Sequence, residues 1–297
     1  MKIVITGATS FIGRSLTRKL NLRGHKCVPV IRPGRHDLFA DGSFLQVIEL
    51  EMSEYGNLHE QTGDVDCLVN LAWLGTRGDG RMDSKMQKES YQNTMNAIRS
   101  YQDGGCKCIF TAGSQAEYGS VDGYIKESDP LHPNTEYGKY KSELFYEASE
   151  FCKKNGIRLI EPRFFSLYGP GDYDKTMVIN ILKKMRVNEA CDLTMGVQNW
   201  DFLYIDDAVD GMVALMENEV EEGAYNFASG DVRHLKEYIE EMKMIAGSKS
   251  QLNFGAVPYP KTGMVSIMAD ISKLKRNTGW HAKTSFRDGI KAVLETI

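Results

Sequence analysis

The chain has 297 residues, 42% hydrophobic, 26% charged and 10% aromatic, which are the proportions of a globular protein whose core needs neither metal nor disulfide support. A formal net charge of -4, with acids and bases interspersed, excludes a basic face for nucleic acid, and no apolar run reaches membrane-spanning length, so neither nucleic acid nor membrane is expected as a partner. The six cysteines form no CxxC pair, and Cys27, Cys67, Cys106 and Cys108 fall in apolar runs; with a strand pattern starting at the N-terminus, buried thiols in a cytoplasmic protein are expected.

The first apolar run, Ile3 to Thr6, leads directly into Gly7-Ala8-Thr9-Ser10-Phe11-Ile12-Gly13 and an amphipathic stretch from Ile12 to Leu22. Strand, glycine turn and helix start in that order make a phosphate-binding loop, because glycine lets the backbone approach a pyrophosphate and a helix N-terminus offers unpaired amides. Gly7 and Gly13 are the candidate glycines, with Ser10 where a third is often found. The second strand, Cys27 to Ile31, ends at Arg32, and Arg35 follows. An acid at that place would bind the ribose 2′-hydroxyl of NAD, whereas arginine suits the 2′-phosphate of NADP. NADP is therefore expected, with NAD as the alternative; the competing reading makes both arginines solvated loop cations.

Further strands are expected at Leu45 to Leu50, Val65 to Leu71, Cys106 to Thr111 and Ile157 to Pro162, and helices at Lys85 to Tyr101 and Tyr137 to Lys154. This alternation gives an α/β fold, a Rossmann-type doubly wound parallel sheet with ligands at the carboxyl ends of its strands. Ser114 follows the strand Cys106 to Thr111 at that edge. Tyr137 and Lys141 open the next helix four residues apart and share one face. A free phenol ionises near pH 10, at about the wrong place for an acid or base at neutrality, and a neighbouring ammonium stabilises its phenolate. Alone, a Tyr-Lys pair is a common helix-surface feature. Its conjunction with Ser114 and the phosphate loop gives it weight.

Beyond Tyr168 the rhythm changes. Turn-rich Gly169 to Asp174 precedes a helix near Val178 to Val187, a strand from Asp201 to Ile205, and a helix from Asp206 to Met216 with Asp206 and Asp207 as its cap. A strand from Ala224 to Ala228, a helix from Leu235 to Ile245, a strand ending at Phe254 and a terminal helix from Phe286 to Ile297 complete the pattern. The expected domains are residues 1–165 for dinucleotide binding, with 201–228 returning to that sheet, and residues 166–200 with 229–297 as a small C-terminal α/β cap for substrate.

TGATSFIG, the serine after the fifth strand, YGKYK, RFFSLYGPGD and WDFLYIDDAVDGM stand in the order found in the extended short-chain dehydrogenase/reductase family of nucleotide-sugar enzymes, the NAD-dependent epimerase/dehydratase type. The chain resembles that family over nearly its whole length. The resemblance implies Ser114, Tyr137 and Lys141 as the proton-transfer set. It implies a dinucleotide held by Gly7, Thr9, Ser10, Phe11, Ile12, Gly13, Arg32, Arg35, Glu51, Met52, Leu71 and Ala72, with Tyr137 and Lys141. It also implies a nucleoside-diphosphate sugar touching Trp73, Arg77, Arg81, Gln115, Ser166, Trp200 and Tyr259, no metal, and a homodimer joined through the helices Lys85 to Tyr101 and Tyr137 to Lys154.

Departures from the family pattern select among reactions. Where dehydrating members carry an acidic pair after the serine, this chain has Gln115 and Ala116, neither of which moves a proton at neutral pH; Glu117 comes one place later, where the turn is expected to aim it elsewhere. Epimerases usually close the second strand with an acid, and Arg32 departs from that. The reading that follows is NADPH-dependent reduction of a ketone on a nucleotide sugar, a 4-keto-6-deoxyhexose, with Tyr137 protonating the forming alkoxide. The alternatives are a 4-epimerase with tightly bound NAD and a non-catalytic cofactor-sensing protein. Asn70 stands where histidine is frequent, Ser166 where asparagine is, and Trp200 where an arginine reaches the diphosphate; Arg77, Arg81 or Lys261 would take over that contact.

Overall fold

The strand β1 (Lys2–Thr6) reads Lys-Ile-Val-Ile-Thr and is buried from Ile3 onward, as befits a β-branched strand covered on both faces. In this computed structural model, which describes every residue except 36–38, 40–43, 45, 104 and 260–263, β1 pairs in parallel with β2 (Lys26–Ile31) on one side and β4 (Val65–Asn70) on the other. Beyond β2 lies β3 (Ile48–Glu49); beyond β4 lie β5 (Cys106–Thr111) and β7 (Arg158–Phe164), all parallel, with β6 (Gly113–Ser114) added to β7. With β12 (Gly223–Phe227) at the far edge, the order is β3-β2-β1-β4-β5-β7-β12, the doubly wound arrangement whose direction reverses between β1 and β4. The helices α1 (Phe11–Leu22), α2 (Leu58–Thr62), α3 (Ser84–Arg99) and α4 (Glu136–Lys154) connect these strands.

The chain divides into two compact units. Met1–Gly119, Glu127–Phe164 and Met212–Tyr225 form the first; Ser120–Lys126, Phe165–Gly211 and Asn226–Ile297 form the second. The first has a core running from Val4, Val28 and Leu68 through Ile109 to Leu144 and Leu159. In the second, β8 (Ser166–Tyr168) pairs in parallel with β11 (Phe202–Tyr204), β9 (Cys191–Leu193) with β14 (Leu252–Phe254), and β10 (Asn199–Trp200) runs antiparallel to β13 (Arg233–His234). Around them lie α5 (Met177–Arg186), α7 (Leu235–Ile245), α8 (Ser272–Thr278) and α9 (Phe286–Leu294), while α6 (Ile205–Glu217) contributes to both units. Tyr168, Phe202, Tyr238 and Phe286 make the aromatic centre of the second unit, with Tyr238 and Phe286 edge to face at 4.6 Å.

Several expectations are corrected here. The third strand is confined to Ile48–Glu49, because Leu50, whose N–H still donates to Ile31 O at 2.9 Å, already leads into the 3-10 helix Met52–Asn57; Leu45 lies outside the described residues. Of the segment 201–228, only β12 returns to the main sheet, since Phe202–Tyr204 pairs with β8 instead. Asp201 leaves that strand because its carboxylate accepts the amides of Ser229 at 2.9 Å and Gly230 at 2.8 Å. Asp207 is no cap: α6 starts at Ile205, and the Asp207 carboxylate accepts the amides of Lys283 and Thr284. The terminal helix stops at Leu294. Among the described residues no helix is long and apolar enough to cross a membrane.

Candidate active site

The sheet register sets Thr6, Asn70 and Thr111 side by side at the carboxyl ends of β1, β4 and β5, and the loops that follow them build the site. Gly7 turns with φ +65°, and a Cβ there would lie 2.6 Å from Ala72 N, so backbone and neighbour both require glycine. A Cβ on Gly13 would lie 2.3 Å from Gly7 O, so its absence lets α1 start directly on the loop. Ser10 takes the third glycine's place as the N-cap of α1, its Oγ accepting from Gly13 N at 3.0 Å. Phe11 and Ile12 open the helix, where amides have no carbonyl one turn back. A cradle that any Cβ would fill, at a helix N-terminus, fits a dinucleotide pyrophosphate.

Around this loop, Asn70 is buried: its Oδ1 accepts from Thr6 Oγ1 at 2.7 Å and its Nδ2 donates to Thr94 Oγ1 at 3.3 Å and Ala72 O at 3.4 Å. The residue that replaces the family's histidine thus ties the ends of β1 and β4 to α3. Thr9 and Leu71 are half-buried and Ala72 is buried. Arg32 and Arg35 are exposed in the turn after β2, where Arg35 N donates to Arg32 O at 3.3 Å. Glu51 is exposed and its N–H donates to Glu54 Oε2 at 2.9 Å, whereas Met52 packs into the core with Tyr55.

The three residues expected to transfer the proton come together through another glycine. A Cβ on Gly138 would lie 2.2 Å from Ala116 O, so the first turn of α4 nests against the segment that carries Ser114. Thr135 caps that turn, its Oγ1 accepting from Gly138 N at 3.1 Å. Ser114, Tyr137 and Lys141 are 9%, 8% and 3% exposed. The Ser114 side chain lies near the Tyr137 phenol, and its Oγ accepts from Ala116 N at 3.2 Å. Lys141 Nζ donates to Ala112 O at 2.7 Å and lies 3.7 Å from the Trp73 ring centroid and 5.8 Å from that of Tyr137. Burial raises the Tyr137 phenol above its ordinary range; Arg81, its Cζ 4.6 Å from the ring centroid, pulls it back most, and Ser114 next. Burial also draws the Lys141 ammonium down to about 8, against the opposing effect of Glu117 and Glu161.

Trp73 and Arg81 therefore join the tyrosine and lysine, and the join is built by a residue with no part in the sequence reading. Gln87 is buried on α3; its Oε1 accepts from Trp73 Nε1 at 2.6 Å, and its Nε2 donates to the carbonyls of Leu74, Gly75 and Gly80. Arg77 is exposed at the start of the 3-10 helix Gly78–Met82, and Gln115 is half-buried at the start of a turn. Glu117, Glu161 and Arg163 form a buried charged cluster under Ser114; the sequence reading weighs Glu117 alone and passes over the other two. The available signal is charge inside an apolar pattern: Ile-Glu-Pro-Arg-Phe cannot fill a buried strand without pairing its charges.

Ser166, Trp200 and Tyr259 belong to the second unit. Ser166 opens β8; the Trp200 ring lies 6.2 Å from that of Phe202, with a buried Nε1 that has no partner among the described residues; the Tyr259 hydroxyl donates to Gln198 Oε1 at 2.8 Å. Lys261 lies outside the described residues.

The strand order defines the class as a Rossmann-type α/β fold whose switch point suits a dinucleotide. Residues 3–228 match the model of the NAD dependent epimerase/dehydratase family, and the chain belongs to that family. It is 25% identical to CDP-abequose synthase of Salmonella muenchen over 99% of this chain and 97% of that protein. It is 24% identical to dTDP-4-dehydro-6-deoxyglucose reductase of Escherichia coli, again over 99% and 97%. Its fold resembles that of UDP-glucose 4-epimerase of Thermotoga maritima, solved with UDP-glucose, with a TM-score of 0.89 at 20% identity, covering 100% of this chain and 98% of that one.

Proposed function

We propose that this chain reduces a keto group on a nucleoside-diphosphate sugar, a 4-keto-6-deoxyhexose, with NADPH, and that Tyr137 supplies the proton. The observation that carries the reading is the distribution of charge around Tyr137. Lys141 and Arg81 approach its ring as cations, Gln115 and Ala116 hold the places where dehydrating relatives carry acids, and Glu117 is 0% exposed. Such a centre has a proton donor but lacks the acid pair that dehydration uses. The name of the Escherichia coli relative, a reductase of a 4-dehydro-6-deoxy sugar nucleotide, supports the same substrate class.

When bound, the nicotinamide supplies hydride to the carbonyl carbon. The chain's own residues do the rest. The Gly7 to Gly13 loop and the first turn of α1 hold the pyrophosphate, and Arg32 and Arg35 receive the 2′-phosphate. Ser114 Oγ and Tyr137 Oη bond the carbonyl oxygen; as that oxygen gains charge, the phenol proton passes to it, and Lys141 and Arg81 stabilise the phenolate left behind. We further infer a homodimer formed through α3 and α4. A second reading, a 4-epimerase with tightly held NAD, is favoured by the NAD dependence in the family's description.

The test is NADPH oxidation against a panel of 4-keto-6-deoxy nucleotide sugars, with Tyr137→Phe alongside. Turnover faster with NADPH than with NADH is expected, and the variant should lose about 10²–10⁴-fold in kcat while binding cofactor normally. Interconversion of two ordinary nucleotide sugars with no NADPH consumed, and NAD copurifying, would sink the reductase in favour of the epimerase.

A further inference from the structure

Glu117 and Glu161 are fully buried, both 0% exposed. Arg163 lies between them: its Nε donates to Glu161 Oε1 at 2.8 Å and stands 3.1 Å from Glu117 Oε2. The guanidinium is packed against the rings of Tyr118 and Phe145, its Cζ 4.8 Å from each centroid. Gly113 makes the room, since a Cβ there would lie 2.7 Å from Glu161 Cγ and 2.9 Å from Arg163 Cγ. The cluster reaches the catalytic residues directly, because Glu117 Oε1 accepts the Ser114 N–H at 2.6 Å.

Both carboxyl groups thus reach the same Arg163 Nε, and Glu161 Oε2 has no hydrogen-bond partner among the described residues. Two ionised carboxylates gathered on one guanidinium nitrogen in a dry site repel each other, and the unmatched oxygen carries a desolvation cost. A proton between them removes both penalties. It also leaves one negative charge next to a guanidinium and within reach of Lys141.

We propose that Glu117 and Glu161 hold a single proton between them, resident on Glu161, and act as a positioning unit in which Glu117 pins the Ser114 main chain and the remaining negative charge keeps Lys141 an ammonium. The charged and titratable groups that face the pair are Arg163 from β7, Tyr118 from the turn after Ser114, and Lys141 and Tyr137 from α4; Glu127 faces Tyr118, and Arg81 faces Tyr137. Burial raises both carboxyls, Glu161 well above the ordinary range, and these two acids are what counter the desolvation of Lys141. The inference deepens the proposed reaction and rests on it only for its kinetic arm.

The infrared spectrum of the full-length protein at neutral pH decides on the proton without any substrate. A buried carboxylic-acid carbonyl band is expected, and Glu161→Gln should remove it; absence of the band, or a band that survives Glu161→Gln, overturns the shared proton. The positioning role is read from the pH dependence of kcat. Glu161→Gln, which mimics the protonated acid, should leave the alkaline limb in place. Glu117→Gln/Glu161→Gln should move that limb to lower pH, so that kcat at a fixed alkaline pH falls about tenfold for one unit of movement. A limb displaced by Glu161→Gln alone means both acids were ionised, and a limb unmoved in the folded double variant means the cluster is only structural; either result overturns the proposal. Should no keto sugar be turned over, the reaction proposed above fails while the infrared outcome still stands on its own.

Discussion

At the scale of single residues, the position of Arg81 changes what a cation in this loop does. Its guanidinium lies over the Tyr137 ring, and it is the strongest influence opposing the burial that raises that phenol. A cation over a phenol favours the phenolate, so Arg81→Leu should make Tyr137 harder to deprotonate. In the oxidative direction, where Tyr137 must first lose its proton, the acid-side limb of the rate profile should move to higher pH with cofactor affinity unchanged. A profile that superimposes on that of the unaltered enzyme would remove Arg81 from this role. Ser114, Tyr137 and Lys141 are legible in the sequence because each sits at a short-range landmark, a strand end or a helix start. The stacking of Arg81 on Tyr137 is not, since nothing in Leu-Gly-Thr-Arg-Gly-Asp-Gly-Arg says that a 3-10 helix brings its last arginine to α4. The pairing of Glu117 with Arg163 is hidden for a related reason: it joins a turn and a strand far apart in the chain.

At the scale of elements, helix and strand kinds follow from periodicity, and departures occur where a polar group finds a better partner than the ladder. Asp201 gives up its strand for the amides of Ser229 and Gly230, and α3 buries Gln87, Ser90, Asn93 and Thr94 on a face that apolar spacing alone would not select. Gln87 shows why. One side chain satisfies three carbonyls of the segment between β4 and α3 and the indole of Trp73, and so fixes the surface on which Lys141 and Tyr137 rest. Gln87→Leu is close in volume but leaves those groups unmatched, which should destabilise the protein by about 1–3 kcal/mol. Urea unfolding measures the loss, and KM for the nucleotide sugar should rise with it as Trp73 and Arg81 loosen. Unchanged stability would mean that water replaces the amide at no cost, and that α3 does not organise this segment.

At the scale of the whole molecule, the doubly wound sheet and the family are legible because strand-helix alternation and the glycine turn leave few other topologies. The share of 201–228 that rejoins the sheet is not, because a short strand such as Phe202–Tyr204 carries no mark of which neighbour it will pair with. The proposed homodimer belongs to this scale as well. Glu143, Tyr146 and Glu150 recur on one exposed face of α4, and Tyr146 is 58% exposed, a large apolar ring left on the surface of a helix that otherwise shows charge. A second copy laying α3 and α4 against the same pair would cover that ring, since a two-fold interface brings a patch onto itself. Tyr146→Asp would then set two carboxylates near the axis and should convert the dimer to a monomer, read as a halved mass in light scattering. The unaltered chain should also show a melting temperature that rises with protein concentration, as linked association requires. A chain that is monomeric at every concentration, with the same mass and melting temperature after Tyr146→Asp, would leave α3 and α4 with no partner and remove the bundle from the proposal.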